Sequence, residues 1–262
     1  MTYSVAIIGT GNVAQYLTHF LSQLNTVELV GVCGRNGERV NELAHEAGCN
    51  ACTQISEVTP TADFYFLAVS DDAVNQVVEQ MPHVKGTVLH TSGSLSLSVL
   101  NRFARHGVYY PLQTFSKNKH VHPSDVTLCI EGSDQKTAED IKDTLAHGYR
   151  GVAFVNSEKR KILHLAAVFA RNFTNHMFSI SHDLLEENDL SFDLLYPLVK
   201  ETVDKAFTQN PNTAQTGPAV RNDESTLEKH RVLLSQNEQV KKLYNSLSQS
   251  ISNHKNCENE SK

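Results

Sequence analysis

The stretch Val5-Ala6-Ile7-Ile8-Gly9-Thr10-Gly11-Asn12-Val13-Ala14, followed by Gln15-Tyr16-Leu17, decides how the rest of the chain is read. An apolar run leads into a glycine turn and helix-compatible residues lead out of it. A second apolar run, Val27 to Val32, ends at Cys33-Gly34-Arg35-Asn36. The order is strand, glycine turn, helix, strand, and that context gives a G-x-G-x-x-A match its physical meaning. Gly9 permits the tight turn, Gly11 lets the backbone approach a pyrophosphate, and Ala14 lets the helix lie against the strand. The helix N-terminus meets the anion with unpaired N–H groups. Gly9, Thr10, Gly11, Asn12 and Val13 are therefore the expected dinucleotide-binding residues. The competing reading is an ordinary strand-to-helix turn that carries two glycines.

The residues after the second strand bear on which dinucleotide. An acid there bonds a ribose 2′-hydroxyl, whereas an arginine accommodates a 2′-phosphate. The chain has Gly34-Arg35-Asn36-Gly37 and no acid before Glu38. A guanidinium at Arg35 pairs bidentately with phosphate and Asn36 adds a donor. NADP(H) is expected ahead of NAD(H), with a deazaflavin as a third option. The plain alternative is that Arg35 is an exposed loop arginine.

Further along, Asp63 to Val69 is an apolar run with little alternation, as expected of a buried parallel strand. Strands are expected at Thr87–His90, Gly107–Tyr110, Val126–Ile130 and Arg150–Val155. Helices are expected at Glu38–Ala47, Ala73–Gln80, Leu97–Arg105 and Lys136–His147. This alternation predicts an α/β fold with a doubly wound, mostly parallel sheet, followed by an all-α C-terminal domain. Ligands of such sheets bind beyond the carboxyl ends of the strands. Val69, Ser70, His90, Thr91, Ser92 and the Pro111–Ser116 stretch then border the same crevice as the Gly9 turn. His90 and Ser92 can donate to a substrate carbonyl or carboxylate, or can be satisfied loop polar groups.

Composition narrows the function classes. The 262 residues carry a formal charge of −6, against the clustered Lys and Arg of a general nucleic-acid binder. No run approaches a membrane span and no signal peptide is read, so a cytoplasmic protein is expected. Five cysteines, Cys33, Cys49, Cys52, Cys129 and Cys257, make no disulfide framework in a chain this long. The single C-x-x-C at Cys49 and Cys52 lacks the second pair a structural zinc site needs. His120 and His122 lie two apart without a further ligand at metal-site spacing, and no metal is expected.

After Asn156 strand signals stop. The expected domains are residues 1–155, nucleotide-binding, and residues 156–252, helical, with residues 253–262 a disordered tail. A helix from Ser157 to His182 is apolar around most of its circumference through Leu163, Ala166, Ala167, Phe169, Ala170, Phe173 and Met177, which implies burial in a core or interface. On a 3.6-residue period His164, Arg171, Asn175 and His182 form one stripe, with Asn172 and His176 beside it. A polar stripe on a buried helix means an internal network, a subunit contact or a lined active site. A helix over Asp193–Phe207, a turn-rich loop over Gln209–Pro218 and a long helix over Ser225–Ile251 follow. The apolar surface of the first and last helices exceeds what one small helical domain buries, so a homodimer through them is expected.

These pieces together resemble the Rossmann-like proteins whose C-terminal half is a helical domain of unknown function, relatives of the pyrroline-carboxylate reductases and hydroxyacid dehydrogenases. The resemblance is carried by Gly9-x-Gly11-x-x-Ala14, His90-Thr91-Ser92-Gly93 and Tyr110-Pro111-Leu112-Gln113-Thr114-Phe115-Ser116. It continues through His164-Leu165-Ala166-Ala167, Asn172-Phe173, Thr216-Gly217-Pro218-Ala219 and Arg221-Asn222-Asp223. It implies an NADP oxidoreductase. Hydroxyacid dehydrogenases carry a catalytic lysine and an asparagine on the long helix; Asn172 matches the asparagine, and His164 stands where the lysine is sought, with Lys159 and Lys161 earlier. The resulting expectation is hydride transfer between NADP(H) and a small carbonyl or imine substrate. His164 would be the general acid and Asn172 its orienter or a substrate ligand. His90 or Ser92 would polarise the carbonyl, and Thr216, Arg221 and Asp223 would lie near the cleft. The other reading is a sensor or scaffold that binds NADP(H) without reducing anything.

Overall fold

The computed structural model describes residues 1–117 and 119–260, the last six of them by backbone alone. The chain divides into two compact units, Met1–Ala170 and Arg171–Lys262. The first unit holds eight strands: β1 (Tyr3–Ile8), β2 (Val27–Cys33), β3 (Asn50–Cys52), β4 (Phe64–Leu67), β5 (Thr87–His90), β6 (His106–Leu112), β7 (Thr127–Gly132) and β8 (Gly151–Phe154). Its helices are α1 (Asn12–Ser22), α2 (Gly37–Ala47), α3 (Asp71–Gln80), α4 (Gln135–Leu145) and α5 (Ser157–Ala167). The sheet order is β3-β2-β1-β4-β5-β6-β7-β8. Strands β1 to β6 are mutually parallel, β7 runs antiparallel to β6, and β8 is parallel to β7. The expected doubly wound, mostly parallel sheet is the observed one. Its one antiparallel pairing follows from a β6–β7 connection with only a short 3₁₀ turn, Pro123–Asp125, and no crossover helix to turn the chain back into parallel.

Both faces of the sheet are covered, which is why its strands are continuous apolar runs. Val5, Ile7, Phe66, Leu89, Tyr109 and Leu128 pack on one side with Leu17, Leu21, Leu43 and Ile141 of α1, α2 and α4. Ala6, Ile8, Tyr65, Leu67 and Val88 pack on the other with Val74, Val77 and Val78 of α3. Successive strands move outward from β1 in one direction and then, from β4, in the other. The reversal leaves a crevice at the carboxyl ends of β1 and β4, and the Gly9 turn sits at its mouth.

One helix expected here is absent. The stretch Leu97–Arg105 forms a single 3₁₀ turn, Leu97–Leu100, and then irregular chain into β6. Tertiary bonding overrides helical propensity there. The Arg102 guanidinium donates to the carbonyls of Val78, Glu79 (2.9 Å) and Met81 (2.9 Å), where α3 ends.

The helical run after Asn156 is longer than expected and not uniform. A π-helical stretch, Val168–Phe173, separates α5 from α6 (Thr174–Glu186). Its i→i+5 spacing interrupts the 3.6-residue period on which the polar stripe from His164 to His182 was drawn. The second unit continues with α7 (Tyr196–Thr208), α8 (Pro211–Ala214), α9 (Pro218–Arg221), α10 (Glu224–Leu233) and α11 (Glu238–Glu260). The expected long helix over Ser225–Ile251 is thus two helices. The break at Leu234–Asn237 has a visible cause: Asn237 accepts the Val240 N–H at 3.1 Å and starts a new helix. The loop read at Gln209–Pro218 contains α8 because Asn210 caps it, accepting the Asn212 N–H at 2.9 Å. Residues 253–260, read as a tail, continue α11, while Ser261, Lys262, Asn118 and the Cys257 side chain lie outside the described residues.

Burial of the Ser157–His182 helix within the chain is not found. Ile162, Leu165 and Phe169 are 68%, 53% and 61% exposed. Leu194, Leu198, Phe207 and Leu233 of the second unit are exposed as well, with Ala219, Leu227 and Leu234 among its few buried apolar residues. Among the described residues no helix is long and apolar enough to cross a membrane.

Candidate active site

The crevice beyond β1 and β4 is a cavity of about 320 Å³. Its geometry starts at Gly9, whose φ of +128° puts it outside the usual L-residue range and whose Cβ, if present, would lie 2.1 Å from the Ala68 carbonyl oxygen. The Gly9 N–H donates to Cys33 at 2.8 Å and the Ala68 N–H donates to Ile8 at 2.7 Å, so the turn is clamped to β2 and β4 together. Gly11 caps α1 without any side-chain hydrogen bond, and nothing lies within 4 Å of where its Cβ would be. Gly11, the residue that opens α1, lines the cavity, so the helix N-terminus borders it, the arrangement that receives a phosphate.

Of the ten expected cofactor residues, Gly9, Thr10, Gly11, Arg35, Asn36, Val69 and Ser70 line this cavity. Asn12, Val13 and Ser92 do not. The Asn12 amide instead donates to the Phe115 carbonyl at 2.9 Å, tying α1 to the loop after β6. Asn36 is the N-cap of α2 and its Oδ1 accepts the Arg39 N–H at 3.1 Å, which leaves its amide N–H groups as the donors for a ligand. Arg35 is exposed and is the only charged side chain in the cavity wall among the described residues. The wall also includes Ile55, Gln76 and Gln80, which the sequence reading did not single out. The two glutamines lie four apart on α3, off the Val74-Val77-Val78 face that packs on the sheet, and that spacing was the available signal.

A second group lies beyond β5 and β6. The Tyr110 hydroxyl and His164 Nδ1 are 3.0 Å apart. Gly93 makes that pairing possible, because a Cβ there would lie 2.6 Å from His164 Nδ1 and 2.9 Å from the Tyr110 ring. Burial, with Asp71 and Cys129 adding, pushes the Tyr110 hydroxyl up to about 12, the nearby Arg160 charge opposing. Tyr110 thus stays protonated across the physiological range and can fix the His164 ring as either donor or acceptor. The partner edge of the imidazole, Nε2, is the one left for chemistry.

Of the two readings open for them, Ser92 takes that of a loop group bonded within the protein, and His90 is buried. His90 is fully buried; its Nδ1 accepts the Ser92 N–H at 3.2 Å, and its Nε2 has no partner. Burial first, then the Arg160 charge, pushes its pKa down to about 4, against smaller upward pulls from Asp71 and the Ser96 backbone. The ring is a neutral structural group rather than a surface donor. The Ser92 hydroxyl accepts the N–H groups of both Ser94 and Leu95 at 3.0 Å and shapes the loop. Ser94 in turn donates to Asp71, an acid not anticipated from the sequence.

Asn172, Thr216, Arg221 and Asp223 belong to the second unit. Asn172 is exposed. Asp223 caps α10, accepting the Thr226 N–H at 3.1 Å and its hydroxyl at 2.8 Å, bonds that hold its carboxyl below the usual range. Cys33 is buried, Cys49 and Cys52 are half-buried, all are free thiols, and burial pushes each thiol up. His122 is spent on the Ser124 hydroxyl at 2.7 Å.

Residues 4–108 match the family model described as NADP oxidoreductase coenzyme F420-dependent, and residues 126–251 match a domain of unknown function, DUF2520. A solved structure described as a "putative NADP oxidoreductase" from Bacteroides fragilis is 35% identical, covers 96% of this chain and 98% of its own, and superposes with a TM-score of 0.85. The chain belongs to that oxidoreductase family. More distant structures share the fold. A reductive aminase from Aspergillus terreus, in complex with NADPH and ethyl levulinate, is 16% identical with a TM-score of 0.75 over 97% of this chain and 93% of its own. A 1-pyrroline-5-carboxylate reductase from Streptococcus pyogenes is 15% identical with a TM-score of 0.59 over 97% and 99%. No curated protein matches the sequence.

For this oxidoreductase, Gly93→Ala tests the close packing. The added methyl must displace the His164 and Tyr110 rings, so the variant should lose about 1–3 kcal/mol in denaturant unfolding, the usual cost of overpacking. An unchanged midpoint would show that the rings are not held there.

Proposed function

We propose that this chain binds NADP(H) and passes hydride between it and a small carbonyl or imine substrate, with His164 as the proton donor. One observation carries the cofactor reading: the cleft beyond β1 and β4, whose wall among the described residues holds Arg35 and no carboxylate. The α1 N-terminus and the Gly9–Gly11 backbone fit a pyrophosphate. Arg35 and the Asn36 amide fit a 2′-phosphate, where a carboxylate would repel it. The relatives described with NADPH or as NADP oxidoreductases support the same choice.

The bound nicotinamide supplies the hydride. The chain's residues supply position and the proton. In the imidazolium form, His164 Nδ1–H donates to the Tyr110 oxygen and Nε2–H is the proton delivered to substrate oxygen or nitrogen. After transfer the neutral ring keeps its orientation through Tyr110. A ring fixed in this way loses little freedom on reaching the reacting geometry. His90 and Ser92 set the loop that carries Gly93 and are not assigned the polarising role. Asn172, Thr216, Arg221 and Asp223 belong to the second unit and take no role in this reading. A homodimer through the exposed apolar residues of α5 and the second unit is part of the same reading, since large exposed apolar patches mark association surfaces.

Three outcomes test this. His164→Ala should keep NADPH affinity and lose at least about 100-fold in turnover of keto acids or imines, the usual scale for a general acid; unchanged turnover overturns the assignment. Arg35→Ala should weaken NADPH binding about 10- to 100-fold while leaving NADH binding unchanged, as expected for a charge-assisted phosphate contact; equal losses for both cofactors would argue against a 2′-phosphate site. Sedimentation at micromolar concentration should give a dimer, and a monomer contradicts the association surface.

A further inference from the structure

Among the described residues Arg160 is the one Lys, Arg, Asp or Glu side chain with no exposure at all. It lies in the first turns of α5, one helical turn before His164 and on the same face. Its guanidinium donates to Glu131 of β7 and to the Leu95 carbonyl in the loop after β5. The Ser157 hydroxyl joins them, donating to Glu131 at 2.8 Å and accepting the Leu97 N–H at 2.8 Å. One polar node thus fastens three elements: β7, α5 and the loop from Thr91 to Leu97.

Stability alone is a weak reason for this node. A buried ion pair replaced by apolar side chains of similar volume is often neutral or stabilising. Here the pair also carries an unmet cost, since Arg160 Nε is buried without a partner. What the node does hold is the loop containing Gly93, and Gly93 is the surface against which the His164 and Tyr110 rings rest. The guanidinium charge reaches the same region, acting on Tyr110, His90 and Cys129.

We propose that Arg160, with Glu131 as its counter-charge, is the positioning residue of the Tyr110–His164 pair. It pins the Thr91–Leu97 loop to the start of α5, so that Gly93 backs onto the imidazole and the ring keeps one orientation toward Tyr110. Its functional consequence rests on the reading of His164 as the proton donor. The placement itself does not.

The test is the double variant Arg160→Met with Glu131→Leu, which leaves no unpaired buried charge, made in the full chain. Ring-nitrogen spectra of ¹⁵N-histidine-labelled protein identify His164 by its loss in His164→Gln and read its tautomer directly. Wild type should show a single neutral tautomer for His164. The double variant, with cooperative unfolding retained and NADPH affinity within about three-fold of wild type, should show exchange between both tautomers, as expected once Nδ1 loses its fixed partner, the Tyr110 hydroxyl. Restoring the charge alone with Arg160→Lys, Glu131 intact, should bring back most of the wild-type signal. A folded double variant with an unchanged single tautomer overturns the proposal. If the double variant does not fold, Ser157→Ala removes the hydroxyl that accepts from the Arg160 guanidinium at 3.4 Å and bridges Leu97 and Glu131, and the same two outcomes decide. Turnover surviving His164→Ala would defeat the proton-donor reading separately, since the tautomer measurement needs no substrate.

Discussion

The close approach of two backbones at Gly9 is the constraint on which the nucleotide cleft depends. A side chain there would lie 2.1 Å from the Ala68 carbonyl, so β1 and β4 could not end side by side. That adjacency is the point where the strand order reverses. It opens the crevice, aims the α1 N-terminus into it, and brings the ends of β2 and α3 to its rim. A single missing methyl group therefore sets the spacing of the turn, the position of Arg35 across from it and the volume left for a ligand.

The unit divides its polar work between two places with opposite solvation. The cleft beyond β1 and β4 is open, and its polar wall is glycine-turn backbone together with exposed side chains such as Arg35 and Asn36. The Tyr110–His164 region is half-buried and rests on a node whose Arg160 has no exposure. There, polar atoms must be paired within the protein, and the pairs double as fasteners between elements far apart in sequence: Glu131, Leu95 and Arg160. Burial also separates the two histidines. His90, deep in the sheet and beside a positive charge, is held neutral, while His164, one layer out, has only a tyrosine as its partner.

Much of the nucleotide half was legible because its signals are local. Gly9, Gly11, Ala14 and Arg35 act through their own backbone conformation or their own charge, and the apolar runs report burial on two faces wherever they occur. The misreadings arose where distant contacts compete with local preference. Leu97–Arg105 looks helical until the Arg102 guanidinium is seen capturing the carbonyls at the end of α3. Ser225–Ile251 looks continuous until Asn237 is seen capping a new start. The apolar circumference of the Ser157 helix left a core and an interface both open, since periodicity reports which face is apolar and never what covers it; in this chain Leu165, Phe169 and Phe173 are exposed.

Taken alone, the order of residues determined the strand–turn–helix unit, the mostly parallel sheet and the presence of a helical second half. Each depends on interactions within a few residues or on a repeating pattern. Only the tertiary structure decided that Tyr110 meets His164, that His90 is sealed away, that Ser92 is spent on its own loop, and that Arg160 binds three elements together. Those facts depend on which side chains the sheet order brings into contact across 26 to 65 residues of intervening chain, and hydrogen-bond distance in space has no counterpart in spacing along the sequence.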